Sequence, residues 1–250
     1  MKNRHLIVSY LIIFSALMCA QAAFAQHEKV FYKGNTLYEE GLYDPAIKEY
    51  SQLLAQGLES GNLYFNLGNS YFKKGELGKA ILYYERAKRL IPRDGDLKSN
   101  YKFASSKIAY NVSEESSWLH GALDRFNMFT VNELTIILSC IFTSICVLLI
   151  TGIFIHAIKR YAYIVLPVLI IIFMTLAVSL YNRVSALDRE GVIISSHAEA
   201  KYEPVDNATT HFTLYEGMKV SVLEVKKEWV KLRRPDGKIG WIRAQEMEKI

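Results

Sequence analysis

The sequence predicts a multidomain membrane protein in three parts: an all-α repeat region, a two-helix transmembrane hairpin and a small all-β barrel. Three observations carry this. Two apolar runs, Leu134 to Ile158 and Tyr161 to Tyr181, are separated only by Lys159 and Arg160. Upstream of them the chain repeats itself with a period of 34 residues, and downstream it changes to short alternating runs. A helix needs about 20 apolar residues to cross the hydrocarbon layer, and each run is that long with no charge inside it. Spans joined by so short a turn run antiparallel, so the chain before Leu134 and the chain after Tyr181 leave the bilayer on the same side. The tip carries Lys159 and Arg160 together, whereas the outer flanks carry Arg125 beside Asp124, and Arg183. Basic residues favour the cytoplasm, so the tip is expected there and both soluble parts outside.

The first 25 residues account for how they get there. Lys2 and Arg4 precede an apolar stretch from Leu6 to Ala20, and Ala23-Phe24-Ala25 supplies a small-x-small site before Gln26. This is the pattern of a secretory signal peptide; the apolar stretch is short for a span, which favours cleavage over an uncleaved anchor. A lipid-attachment reading of Cys19 is disfavoured by the bulky Leu17 and Met18 before it. The net charge of +5 follows the same division. The signal peptide and the hairpin tip each contribute +2, Glu133 contributes −1, and residues 26–132 hold 14 basic and 13 acidic groups and residues 182–250 hold 12 and 11. The excess belongs to targeting and topology, and a nucleic-acid partner is not indicated. Of three cysteines, Cys140 and Cys146 lie in the first span and Cys19 in the signal peptide, so neither soluble part has a disulfide or thiolate site.

Between residues 26 and 111 a shift of 34 places Gly34 on Gly68, Asn35 on Asn69, Tyr38 on Phe72, Gly41 on Gly75, Ala46 on Ala80 and Tyr50 on Tyr84. Gly34 and Gly68 remove a side chain where two helices of a hairpin cross, Ala46 and Ala80 do so from the other helix, and Tyr50 and Tyr84 fill the space beside them. Gly41 and Gly75 end first helices, and Asp44-Pro45 is expected to give the next helix its N-cap and first-turn proline. In Tyr64, Leu67, Gly68, Tyr71, Ala80, Tyr84, Ala87 and Pro92 the second copy resembles the tetratricopeptide repeat, a helix-turn-helix unit. The first copy departs from that pattern at Lys33, Leu53 and Leu58. Repeats are therefore expected at 27–60 and 61–94, with residues 96–110 as a closing helix.

The resemblance implies a concave peptide-binding face lined by the first helix of each hairpin: Phe31, Asn35, Tyr38, Asn62, Phe65, Asn66, Asn69, Phe72 and Lys73. Relatives that clamp a C-terminal carboxylate use two asparagines flanked by basic side chains. Asn35 and Asn66 fall on the asparagine places, but Phe31, Asp96 and Asn100 stand where the basic groups would be, and amides alone hold an anion weakly. The aromatic lining favours an apolar peptide or partner helix, with core packing as the competing role of each ring.

Residues 112–132 form a linker whose second half (Trp118, Leu119, Leu123, Phe126, Met128, Phe129) is an aromatic stripe suited to the headgroup layer. Inside the spans His156 is the one ionisable group, a turn from the tip, where an interfacial position suits it. Pro167 marks a point where the second helix can kink. The hairpin reads as a tether rather than a transport path.

From residue 186 to 250, five runs (Val192-Ile194, His211-Leu214, Lys219-Val225, Trp229-Leu232 and Ile239-Ile242) read as strands, with turns at Glu216-Gly217 and Asp236-Gly237 and a long loop from Ser195 to Thr210. Leu214-x-x-Gly217-x-x-Val220-x-Val222-Leu223, then Glu228-Trp229-Val230-Lys231-Leu232, then Asp236 to Ile242 with Gly240-Trp241-Ile242, resembles the bacterial SH3 domain, which implies an SH3-like barrel. That resemblance implies binding of peptides or cell-wall crossbridges, with Tyr202, Trp229 and Trp241 as ligand-surface candidates. No catalytic, cofactor-binding or metal-ligating set stands out: the six histidines have no ligand spacing, and no phosphate loop or activated nucleophile is present. A non-enzymatic protein without cofactors is expected.

Taken in order, signal peptide, repeats, double span and C-terminal SH3-like domain resemble the BatE family of the Bacteroides aerotolerance (Bat) operon. This implies a bacterial inner-membrane protein with both soluble parts in the periplasm. It also implies membrane or periplasmic partners, among them Bat-type von Willebrand factor A-domain proteins, and a role in aerotolerance or envelope stress. The SH3 resemblance leaves a second function open, attachment to peptidoglycan.

Overall fold

The computed structural model describes residues 26–109, 129–187 and 189–250. The signal peptide and most of the 112–132 linker, Trp118 included, lie outside the described residues.

Five helices form the first part: α1 (26–39), α2 (Tyr43–Ala55), α3 (Gly61–Lys74), α4 (Leu77–Leu90) and α5 (Gly95–Ser105). The 34-residue period is an interlocking of glycine and tyrosine. A Cβ on Gly34 would stand 2.5 Å from the Tyr50 ring, and one on Gly68 2.5 Å from the Tyr84 ring. Each ring lies where the missing side chain would be, and both tyrosines are fully buried with Leu67, Ile81 and Leu82. Ser60 caps α3 by accepting from the Leu63 amide, and Asp94 caps α5 by accepting from the Leu97 amide. Gly75 closes α3 at φ 91°, a left-handed conformation that spares glycine the Cβ clash. The N-cap of α2 differs from expectation: it is Leu42, without a side-chain cap. Asp44 lies inside the first turn, where its carboxylate suits the helix dipole and pairs with Lys74 at 2.6 Å.

Two long helices follow, α6 (Val131–Phe154) and α7 (His156–Leu187), packed antiparallel. Within them Val131–Phe154 and Tyr161–Ser185 are long and apolar enough to cross a membrane, and almost none of that surface is covered by protein. A membrane association follows from exposed apolar surface on that scale. Thr130 and Glu133 cap α6 reciprocally as a capping box. The chain reverses at Ile155, ahead of the Lys159-Arg160 tip that the charges suggested, and those two residues continue α7. Lysine and arginine are good helix formers and do not oblige a break.

The C-terminal part is one antiparallel sheet of seven strands: β1 (Glu190–Ile193), β2 (His197–Lys201), β3 (Thr210–Tyr215), β4 (Lys219–Lys226), β5 (Trp229–Arg233), β6 (Ile239–Arg243) and β7 (Met247–Lys249), in the order β3-β2-β6-β5-β4-β1-β7. Two strands exceed the five predicted. β2 occupies part of the expected Ser195–Thr210 loop; its inward residues are Ala198 and Ala200, small because Gly240 and Phe212 press against Ala200. The sheet is open, where a closed barrel was expected: no ladder joins β3 to β7. Side chains fold the β3 edge over instead. The buried Arg234 donates to the Thr213 carbonyl, and His211 Nδ1 lies 3.2 Å from the Ile239 carbonyl. Arg234 is held in turn by Asp236, whose carboxyl its hydrogen bonds lower to about 2.

Repeats and sheet are not separate bodies. The outer side of α4 lies along β1, and Val192 belongs to the apolar core of the repeats. The Gly78 amide donates to Glu216 (2.8 Å), Arg86 pairs with Glu248 (2.9 Å), and Arg89 reaches Glu190 and the Ile250 carbonyl. At the centre Glu85, 5% exposed, meets Lys219 of β4 at 3.2 Å and the Tyr101 hydroxyl of α5. Burial works against its charge, but Lys219, Lys88 and the Tyr101 hydroxyl outweigh it and hold the carboxyl below its ordinary range. A group lowered in the folded state stabilises it at pH above the unfolded value, about 4.3, and that contribution is lost as pH falls through the folded value. The junction is therefore expected to loosen below about pH 4. Amide exchange in β1 as a function of pH checks this, and Glu85→Gln should flatten the acid limb; an unchanged profile would count against the latch.

Candidate functional site

α1 and α3 carry the residues expected on the concave face, and a polar ladder sets their register with each other and with α5. Asn35 Oδ1 accepts from the Tyr50 hydroxyl at 2.7 Å and from Asn66 Nδ2 at 2.9 Å. One repeat on, Asn69 Oδ1 accepts from the Tyr84 hydroxyl at 2.7 Å and from Asn100 Nδ2 at 2.9 Å. The hydroxyls of these buried tyrosines stay protonated far into alkali: desolvation pushes Tyr50 up to about 12, against the Asn66 hydrogen bond, and raises Tyr84 as well. Asn35, Asn66 and Asn69 thus hold helix to helix. The ladder also shows that α5 stacks on α3 as α3 stacks on α1, so the closing helix occupies the place of a third first-helix.

Around the ladder lie the aromatic candidates. Phe31 packs on Tyr50 and Phe65 on Tyr84, each with ring centres near 6 Å, and both are half-buried. Tyr38 is half-buried against Tyr43 at 5.6 Å, while Asn62 and Lys73 are exposed. Apolar surface is also free at the α5 end. Phe103 is 56% exposed, meets Phe72 edge-on at 5.7 Å and has the Lys107 ammonium 5.1 Å above its ring. Phe103 was not anticipated; the same shift of 34 that aligns Asn35 with Asn69 also reaches residue 103, where phenylalanine replaces the asparagine. The arrangement offers aromatic edges, amides and a lysine side to an extended or helical segment.

The three sheet candidates divide. Trp229 and Trp241 are 9% and 8% exposed, the first under the Arg243 guanidinium at 4.5 Å and the second under the Lys231 ammonium at 5.6 Å. Both face away from the core residues Val230, Leu232 and Ile242 that alternate with them. Tyr202 is exposed beyond the end of β2 and stacks on His211, ring centres 4.3 Å apart. Arg243 also binds Asp206 and Glu228, both at 2.5 Å, and so fastens the 202–209 loop over this side. Among the described residues no group of three or more His, Cys, Asp or Glu is placed to hold a metal ion.

The Tetratricopeptide repeat family matches residues 61–94, which are α3, α4 and the turn leading out of α4. Residues 61–94 are a tetratricopeptide repeat. Protein O-mannosyl-transferase TMTC1 of Homo sapiens is 36% identical over 73 residues, and that of Mus musculus 34% over 73 residues. Each match takes in 29% of this chain and 8% of the relative, so the chain spans a small part of the proteins it resembles. A tetratricopeptide hairpin supports a role in protein–protein interaction in general.

Proposed function

We propose that the protein is a non-enzymatic, membrane-anchored scaffold that holds a peptide segment of another membrane or periplasmic protein on the concave face of its repeats. One observation carries the reading. The outer side of α4 is already occupied by the chain's own sheet, while on the first-helix side Phe103 and Lys73 are exposed and Phe72 is half-buried beside them. The spans fix this face beside the bilayer, which raises its effective concentration for other membrane proteins. The finer assignment follows the resemblance: an inner-membrane protein with both soluble parts periplasmic, the sheet acting as an SH3-like module, and Bat-type von Willebrand factor A-domain proteins among the partners.

A photo-crosslinking residue at position 103 tests the reading. Adducts with membrane or periplasmic proteins are expected from position 103 and not from the exposed Gln52 on α2; equal or absent adducts at both sites would overturn it. Replacing Phe72 and Phe103 by Ala should reduce capture about 30-fold or more, the effect of removing two aromatic anchors at about 1 kcal/mol or more each. Peptidoglycan attachment through the Tyr202 side of the sheet makes the contrasting forecast that the detergent-solubilised full chain sediments with purified sacculi and that Tyr202→Ala releases it.

A further inference from the structure

We propose that the tip of the β4–β5 hairpin is a second membrane contact, in which Leu223 and Val225 enter the headgroup layer beside the end of α7 and Lys226 and Lys227 meet anionic headgroups. The inference rests on reading α6 and α7 as membrane spans.

Direction comes first. α4 lies beside β1 with Gly78 against Ile193 and Ile194 and with Arg89 against Glu190. Beyond α4, Arg93 pairs with Glu133 in the first turn of α6, and Arg183 near the end of α7 donates to the Phe129 carbonyl just before α6. Movement along β1 from Ile193 to Glu190 is therefore movement toward the paired ends of the two spans.

β4 takes the same direction and goes further. It pairs antiparallel with β1 as Val192 to Lys219, Gly191 to Val220 and Glu190 to Ser221, and the Val222 amide donates to the Arg189 carbonyl at 2.6 Å. Arg189 stands two residues after the end of α7. From Val222, β4 continues to Lys226 while β1 has ended, an overhang of about 13 Å at roughly 3.3 Å per residue. The overhang brings the turn at Lys227, φ 54°, to the level where the chain enters and leaves the bilayer.

The chemistry of the tip fits that level. Val225 pairs with Val230, a core residue, and so lies on the core-facing side of the sheet, yet it is 55% exposed; Leu223 beside it is 42% exposed. The apolar side of the hairpin thus runs past the end of the protein's own core. The two glutamates of the tip lie on the other side of the sheet, Glu224 opposite Lys231 and Glu228 paired with Arg243. This leaves two aliphatic side chains beside Lys226 and Lys227 to match the acyl–headgroup boundary of an anionic bilayer, where apolar groups are buried and basic ones meet lipid phosphates. A soluble partner would need a reason to sit against the spans; lipid is already there.

Nitroxide labels on single cysteines test the proposal, with Cys19, Cys140 and Cys146 replaced by Ala and the full chain reconstituted into phosphatidylcholine–phosphatidylglycerol vesicles. Labels go at Ile170 in the span, at Val225, and at Lys238 in the β5–β6 turn at the other end of the strands. Collision with oxygen relative to a water-soluble nickel chelate should be several-fold higher at 170 and at 225 than at 238. A value at 225 equal to that at 238, with 170 still in lipid, overturns the proposal alone; a water-like value at 170 overturns the membrane reading beneath it. Repeating the measurement in nanodiscs with one copy each identifies the cover: a value at 225 that persists supports lipid, and one that drops to that of 238 shows a second copy and rejects the proposal. Replacing Lys226 and Lys227 together by Glu should lower the value at 225 in these vesicles.

Discussion

Gly68→Val is expected to unfold the repeat hairpin. The new Cβ would stand 2.5 Å and 2.6 Å from two atoms of the Tyr84 ring, well inside van der Waals contact. The ring has no room to retreat: it is 1% exposed, packs on Phe65 and is fixed at its far end by the hydroxyl bond to Asn69. Overpacking a rigid core of this kind costs about 3 kcal/mol, at the upper end of the usual range. The loss should appear as a lower thermal midpoint for the helices and as rapid amide exchange in α3 and α4. Gly95→Ala is the control, because a Cβ there meets nothing, and it should leave stability unchanged or raise it by up to about 1 kcal/mol. Equal effects at the two sites would show that the glycine–tyrosine interlock does not govern the repeat.

Gly78→Val should separate the repeats from the sheet while leaving each folded. Here the Cβ would come 2.6 Å from the Ile193 carbonyl oxygen and 2.8 Å from the Ile194 Cα, both backbone atoms that no rotamer change can move. The helix must lift away from β1, taking with it the Gly78–Glu216 hydrogen bond and the contacts of Arg86, Arg89 and Glu85. Val192, buried at 0% exposure, would meet water. A loss of about 2 kcal/mol in docking corresponds to a roughly 30-fold faster exchange of the β1 amides. Amides of β5 and β6, on the other side of β4, should keep their protection. If β1 stays protected in this variant, the two parts are held by something other than the α4 surface.

How far the sequence alone reaches can be judged residue by residue. The repeat hairpins were legible because their packing device is periodic: glycine and tyrosine recur at 34, and the neighbours at a helix crossing are set by spacing within the hairpin. The asparagine ladder was present in the same way, since Asn35 to Asn66 and Asn69 to Asn100 are both 31 apart. In the sequence alone, amides at these positions read first as ligand groups rather than as helix-to-helix contacts. β2 is illegible in the sequence for a different reason. His197-Ala198-Glu199-Ala200-Lys201 alternates small with polar rather than large apolar with polar, and a pattern built on alanine carries little strand signal. Alanine is needed there only because Gly240 and Phe212 approach from neighbouring strands, a fact of three dimensions.

The lengths of the apolar runs, the 34-residue repeat and the turn glycines follow from the one-dimensional order of residues, because helix rise, helix period and left-handed backbone are local properties. The docking of α4 on β1 does not. Its surface is built from Glu85, Arg86, Arg89, Glu190 and Glu248, side chains that in a sequence describe an ordinary wet exterior. Only their mutual distance across more than 100 residues of chain turns them into an interface, since a charge contributes to cohesion when its opposite is brought within reach and water is excluded, and neither condition is written at any single position.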